Sequence, residues 1–139
     1  MAIEKAHGQL CWTLESDDKK LFVTIQSGNL TCDFKVGART INPYFILPWW
    51  NEPIAAELDN LTQMMRGDFF CLPFGADDDA DPITYHGPTA SGYWEPAAGS
   101  PSENSLDLQV KLDHGSVTKH IEFHPGEPVI YQRHTIAGY

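Results

Sequence analysis

Apolar positions alternate twice between Leu21 and Val36. Leu21, Val23 and Ile25 alternate with polar or exposed positions. After Ser27-Gly28-Asn29, the residues Leu30, Cys32, Phe34 and Val36 alternate again. Two period-two runs around a glycine turn predict a β-hairpin. The same period returns later and more strongly. Leu106, Leu108, Val110 and Leu112 alternate with Asp107, Gln109, Lys111 and Asp113. A turn over Asp113-His114-Gly115-Ser116 leads into a strand from Val117 to Phe123, with Ile121 and Phe123 on one face. His124-Pro125-Gly126-Glu127-Pro128 turns the chain again, and residues 129–136 form the last predicted strand. One stretch alone has helical spacing. Asn51 would cap it, Pro53 suits its first turn, and Ile54, Leu58, Leu61 and Met65 would share a face. An ordered loop would carry the same residues. These elements predict an all-β protein, an antiparallel β-sandwich in a single domain over residues 1–139.

Between the two strand-rich regions the pattern is lost and the chemistry becomes richer. Asn42 to Trp50, NPYFILPWW, is apolar and stiffened by Pro43 and Pro48, and suits an irregular pocket wall. Arg66-Gly67-Asp68 enters an apolar stretch bent by Pro73-Phe74-Gly75. Tyr85-His86-Gly87 places a histidine on a glycine turn, and Trp94-Glu95 follows. A cation, an imidazole and aromatic surface together suit a polyhydroxylated ligand. Arginine and histidine donate to hydroxyls, and an aromatic ring covers the C–H face of a sugar. Residues 76–84 read as an acidic loop and residues 96–105 as a polar connector.

Composition narrows the partners. At 139 residues, 42% hydrophobic and 20% charged, the chain can bury one core. Ten prolines and eleven glycines argue against long helices. A net charge of −10 disfavours nucleic acid and anionic membrane as partners. No apolar run reaches membrane-spanning length, and MAIEKAHGQL lacks the order of a signal peptide. Cys11, Cys32 and Cys71 are odd in number and far apart, which predicts three reduced thiols and a cytoplasmic location.

The ordered set Arg66-Gly67, Pro73-Phe74-Gly75, His86-Gly87 and Trp94-Glu95 resembles the galactose mutarotase-like superfamily, which includes aldose 1-epimerases and hexose-phosphate epimerases. Asn42-Pro43 and Pro48-Trp49 resemble that family's early pocket-lining segment. The likeness spans roughly residues 20–136, by order of elements more than by identity. Asp68 stands where the family has a second glycine, and Pro88-Thr89-Ala90 stands where it often has Phe-Ala-Arg. The resemblance implies a large β-sandwich that binds a hexose in an open cleft. It implies mutarotation, in which a glutamate and a histidine open and reclose the sugar ring. In the family the arginine and the His-Gly histidine bind and orient hydroxyls. The acid and base lie further along the family's chain, so this chain is expected to carry substrate-binding residues without the full catalytic pair, as the first half of a larger sandwich. The final strand, with no polar tail after it, also allows a homodimer through an exposed strand edge.

The expected substrate-binding residues are Arg66, His86, Trp49 and Trp94. Each has a plainer role open to it. Arg66 would otherwise pair with Asp68 or the acidic loop, and His86 would serve a turn. Trp49, Trp50 and Trp94 would be core, with at most one facing a cleft. The expected partner is a small-molecule sugar, with no cofactor and no metal. The alternatives are a non-catalytic carbohydrate-binding sandwich and, further off, a metal-dependent β-barrel enzyme. The last rests on His120, Glu122 and His124 sharing a strand face, joined by His134 from the next strand. Asp77, Asp78, Asp79 and Asp81 lack the spacing of a dedicated calcium loop. Cys71 reads as an inert thiol.

Overall fold

A computed structural model describes residues 1–75, 86–99 and 102–138. It shows two antiparallel sheets. The first has β1 (Ala2–Ala6), β2 (Gln9–Glu15), β3 (Lys19–Thr24), β4 (Leu30–Val36) and β5 (Arg39–Ile41), in sequence order. The second has β6 (Glu95–Pro96), β7 (Ser105–Leu112), β8 (Gly115–Glu122) and β9 (Tyr131–Ala137), also in sequence order. Every neighbouring pair is antiparallel.

The alternating positions build the core. Leu21 and Val23 of β3 and Leu30 and Cys32 of β4 join Leu106, Leu108, Val110, Val117, Ile121 and Phe123 of the second sheet and its margin in one buried cluster. Full burial of such a side chain contributes roughly 1.5–3 kcal/mol. Trp94 lies at the centre, fully buried. The expected sandwich and the expected hairpin, β3–β4, are present.

Strands β1 and β2 are additional to the predicted ones, and one predicted feature changes. The two strands were hidden from the pattern because β1 is mostly exposed and β2 is covered on both faces: Cys11 and Thr13 are buried on one side, Leu14 on the other. The predicted helix is also corrected. It is a 3-10 turn over Pro53–Glu57 followed by α1 (Asn60–Met64), and Ile54, expected on its inner face, is 52% exposed. Among the described residues of the segment it is Met64 that is buried.

Asp59 caps α1. Its carboxylate accepts from the Thr62 amide at 3.0 Å and the Thr62 hydroxyl at 2.6 Å. Those bonds hold its carboxyl below the usual carboxylate range, the Thr62 hydroxyl contributing most. Asp59→Ala is expected to cost about 1 kcal/mol, read as a lower urea midpoint at unchanged slope.

Candidate functional site

The segment that follows Arg66 is fixed between two parts of the first half of the chain. Ile46 and Arg66 form an isolated antiparallel bridge, as do Leu30 and Asp68. The Gly67 amide donates to the Phe45 carbonyl at 2.7 Å. Leu30 and Asp68 exchange both backbone hydrogen bonds at 3.1 Å. The stretch 42–50 and the Arg-Gly-Asp stretch are thereby tied to the start of β4.

Arg66 is buried, only 3% exposed. Its Nε donates to the Met64 carbonyl at 3.0 Å, and its Nη1 donates to the carbonyls of Ala6 at 3.1 Å and His7 at 3.0 Å. This is neither a ligand contact nor the Asp68 ion pair. The guanidinium clamps the β1–β2 turn onto the chain about 60 residues later. A buried cation can be held this way because three of its N–H donors find backbone acceptors. Asp68 is occupied elsewhere: Oδ1 accepts from the Leu30 amide at 3.0 Å, and Oδ2 accepts from Gln132 Nε2 on β9.

Trp94 is likewise placed away from any ligand. Its Nε1 donates to the Thr89 carbonyl at 3.0 Å, its carbonyl accepts from Trp12 Nε1 at 3.0 Å, and its ring is 0% exposed. Burial leaves no indole face for a sugar, so the expected stacking role is withdrawn. Trp49 is half-buried, and its Nε1 is buried without a hydrogen-bond partner among the described residues. The neighbouring Trp50 is partly exposed and packs edge-on with His7, centroids 5.3 Å apart.

His86 sits differently. It has a left-handed backbone (φ 66°) immediately before α2 (Gly87–Ser91). Its Nδ1 accepts from the Gly75 amide at 3.0 Å, and its own amide donates to the Gly75 carbonyl at 2.9 Å. An accepting Nδ1 puts the neutral ring's proton on Nε2. The imidazole lies 5.0 Å from the Phe74 ring and 5.8 Å from the Phe69 ring. Phe74 is 80% exposed. Sequence reasoning used Phe74 only as part of a turn motif; its exposure is what gives it interest. A large apolar ring thus stands open beside an imidazole.

A second group was not foreseen. Lys119 of β8 is fully buried, its ammonium 5.5 Å from the Trp94 ring centre and donating to the Gly28 carbonyl. His134 of β9 pairs with Lys119 across the sheet and stacks on Phe70, with centroids 4.1 Å apart. Its Nε2 is buried without a hydrogen-bond partner among the described residues. Burial first, then the Lys119 charge, lowers its pKa to about 4. The pattern carried the signal: Lys119 lies in register with Val117, Ile121 and Phe123, an in-facing row.

The same register corrects the proposed metal arrangement. His120 is paired with Arg133, so His134 projects from the opposite face to His120. His120 is instead tied to Asp107 at 2.6 Å, with Glu122 at 3.4 Å. Among the described residues, no group of three or more His, Cys, Asp or Glu side chains is placed to hold a metal ion. The aspartate stretch 77–81 lies outside the described residues. All three cysteines are free, and burial raises the pKa of each, Cys32 to about 12. No helix among the described residues is long and apolar enough to cross a membrane.

Set against protein-family models, curated proteins and solved structures, the chain matches none of them.

Proposed function

We propose that the chain is a carbohydrate-binding β-sandwich, resembling the mutarotase-like proteins, that takes a neutral hexose against Phe74 and His86. The observation that carries this reading is the 80% exposure of Phe74 beside the fixed imidazole of His86. The phenyl ring covers the C–H face of a pyranose, and the imidazole beside it gives that face a polar margin. The Gly75–His86 hydrogen bonds hold the two together before any ligand arrives, which lowers the cost of ordering them on binding. Arg66 contributes indirectly, by fixing the stretch that leads to Phe74.

The reading is of binding rather than turnover. Anomer interconversion needs a base and an acid on opposite sides of the ring. The residues used here supply an imidazole and an aromatic face. An epimerase of this type would draw its acid and base from elsewhere.

Amide NMR titration with neutral hexoses tests the reading. Shifts are expected at millimolar sugar around Phe69, Phe74 and His86. Phe74→Ala is expected to weaken binding about tenfold, equivalent to about 1.4 kcal/mol. Its stability should stay within about 0.5 kcal/mol, as for other exposed positions. A folded sample that no hexose perturbs would remove the proposal.

A further inference from the structure

A hollow of about 410 Å³ opens at the other end of α2 from His86. Its lining includes Tyr93, Glu95, Gln109 and Lys111, with Pro88 and Gly92. Tyr93 is 66% exposed although its neighbour Trp94 is fully buried. The two follow from one extended backbone: adjacent side chains point to opposite sides, and the indole takes the core. The backbone of this stretch is well held. Tyr93 bridges to Gln26, the Trp94 amide donates to the Ile25 carbonyl at 2.7 Å, and the Ser27 amide donates to the Gly92 carbonyl at 2.8 Å. An open phenol ring is thus mounted on a rigid support rather than on a loose loop.

Gly92 allows the close approach that shapes the hollow. A Cβ at this position would meet the Pro88 carbonyl oxygen at 2.5 Å and Val110 Cγ2 at 3.3 Å. The polar lining has a definite character. Glu95 stands opposite Gln109 in the β6–β7 pairing, and Lys111 lies two residues further along β7. One carboxylate accepts, one ammonium donates, one amide does both, and the formal charges cancel. Such a set disfavours a strongly charged ligand. It suits a molecule that is itself donor and acceptor all round and has an apolar face for Tyr93, which is the description of a pyranose ring.

We infer that the Tyr93 hollow is a second saccharide subsite, so that the ligand is an oligosaccharide spanning both ends of α2 rather than a free hexose. This rests on the sugar-binding reading of His86 and Phe74. The five residues of α2 rise about 1.5 Å each, a separation of about 8 Å along the helix axis. A second ring held at the far end binds as part of the same molecule, so its contacts add without a second cost of association.

The test compares free glucose and galactose with cellotetraose and maltotetraose, by amide NMR titration of the wild-type chain, Phe74→Ala and Tyr93→Ala. One of the oligosaccharides is expected to bind about tenfold tighter than either hexose, with shifts at Gly92, Tyr93, Glu95 and Lys111 as well as at His86. Tyr93→Ala should abolish that gain, while the hexose-induced shifts at Phe74 and His86 persist. Hexose binding at His86 with no tighter oligosaccharide and no shift at Tyr93 overturns the second subsite and leaves the first reading standing. Oligosaccharide shifts confined to Tyr93 and its neighbours would keep the hollow as a sugar site and remove both the spanning ligand and the Phe74 reading. Silence at both ends of α2 removes both.

Discussion

Gly67→Ala lowers the free energy of unfolding by about 4 kcal/mol, a large share of the roughly 5–15 kcal/mol that holds a domain of this kind together. Gly67 has φ 57° and follows the buried Arg66. A Cβ built on it falls 1.7 Å from the Leu30 carbonyl oxygen and 2.7 Å from the carbonyl carbon. The obstacle is backbone, so no side-chain rotation relieves it. It is also backbone in use: the Leu30 carbonyl accepts from the Asp68 amide, and the Leu30 amide donates to Asp68 in return. To admit a methyl group, that bridge has to open. Opening it releases the Asp68 side chain from the Leu30 amide and loosens the tie between the Arg66 clamp and β4.

Gly37→Ala supplies the control. Gly37 has a similar φ of 61°, in the β4–β5 turn, and nothing lies within 4 Å of its Cβ position. Its loss is expected near 1 kcal/mol, the cost of a left-handed backbone alone. Urea unfolding followed by far-ultraviolet circular dichroism measures both variants. Equal losses would mean that the close approach of Gly67 to Leu30 is not present in solution. A larger loss at Gly67 isolates the contact from the backbone conformation.

The meander β7–β8–β9 and the hairpin β3–β4 were legible because a period of two survives in their apolar residues, even where Thr24 and Thr31 cover the second face of the hairpin. Strand β2 was not, because Thr13 is covered as fully as Leu14 while Leu10 is 56% exposed, so its apolar residues do not mark one face. The segment 53–65 misled for a related reason. Its apolar residues fit a helical stripe, yet Pro53–Glu57 forms a 3-10 turn with no buried residue. The motif that runs from Arg66 to Trp94 was legible as a string but not as a geometry. Arg66 directs its Nη1 to carbonyls 59 and 60 residues away, a pairing that local spacing does not encode. Trp94 belongs to the core for the same reason that Tyr93 does not, and the string alone does not say which of two adjacent aromatics points inward. Phe74 and the Tyr93 hollow emerged only once exposure could be read residue by residue. Lys119 was legible in principle, as a cation in an apolar register, and marks the site of the second large effect.

Acidification from about pH 6.5 to pH 4 is expected to destabilise the wild-type chain by about 2 kcal/mol through His134, an unscreened limit of about 3.4 kcal/mol reduced because the ring is only half buried. Burial and then the neighbouring Lys119 charge depress its folded pKa to about 4, from 6.5 in the unfolded chain; Asp68 acts in the opposite sense. Between those values the unfolded chain binds the extra proton, so stability is complete above pH 6.5 and is lost as pH falls through 4. Lys119 acts in the same direction at alkaline pH. Burial lowers its pKa, so the unfolded chain again binds more protons and stability rises with pH up to the ordinary lysine value. Lys119→Met keeps much of the length of the side chain and removes the buried charge. It is expected to raise stability at neutral pH by about 2 kcal/mol, the relief of desolvation exceeding the lost bond to the Gly28 carbonyl. It should also flatten the acid limb, because His134 is freed from the Lys119 charge while its burial remains. Urea midpoints across pH, for the wild type, Lys119→Met and His134→Phe, measure the three effects together. A wild-type acid limb that persists unchanged in His134→Phe would assign the loss to other groups. Destabilisation by Lys119→Met at neutral pH would show that the ammonium, bonded to Gly28 and placed beside Trp94, is a net stabilising element of this core.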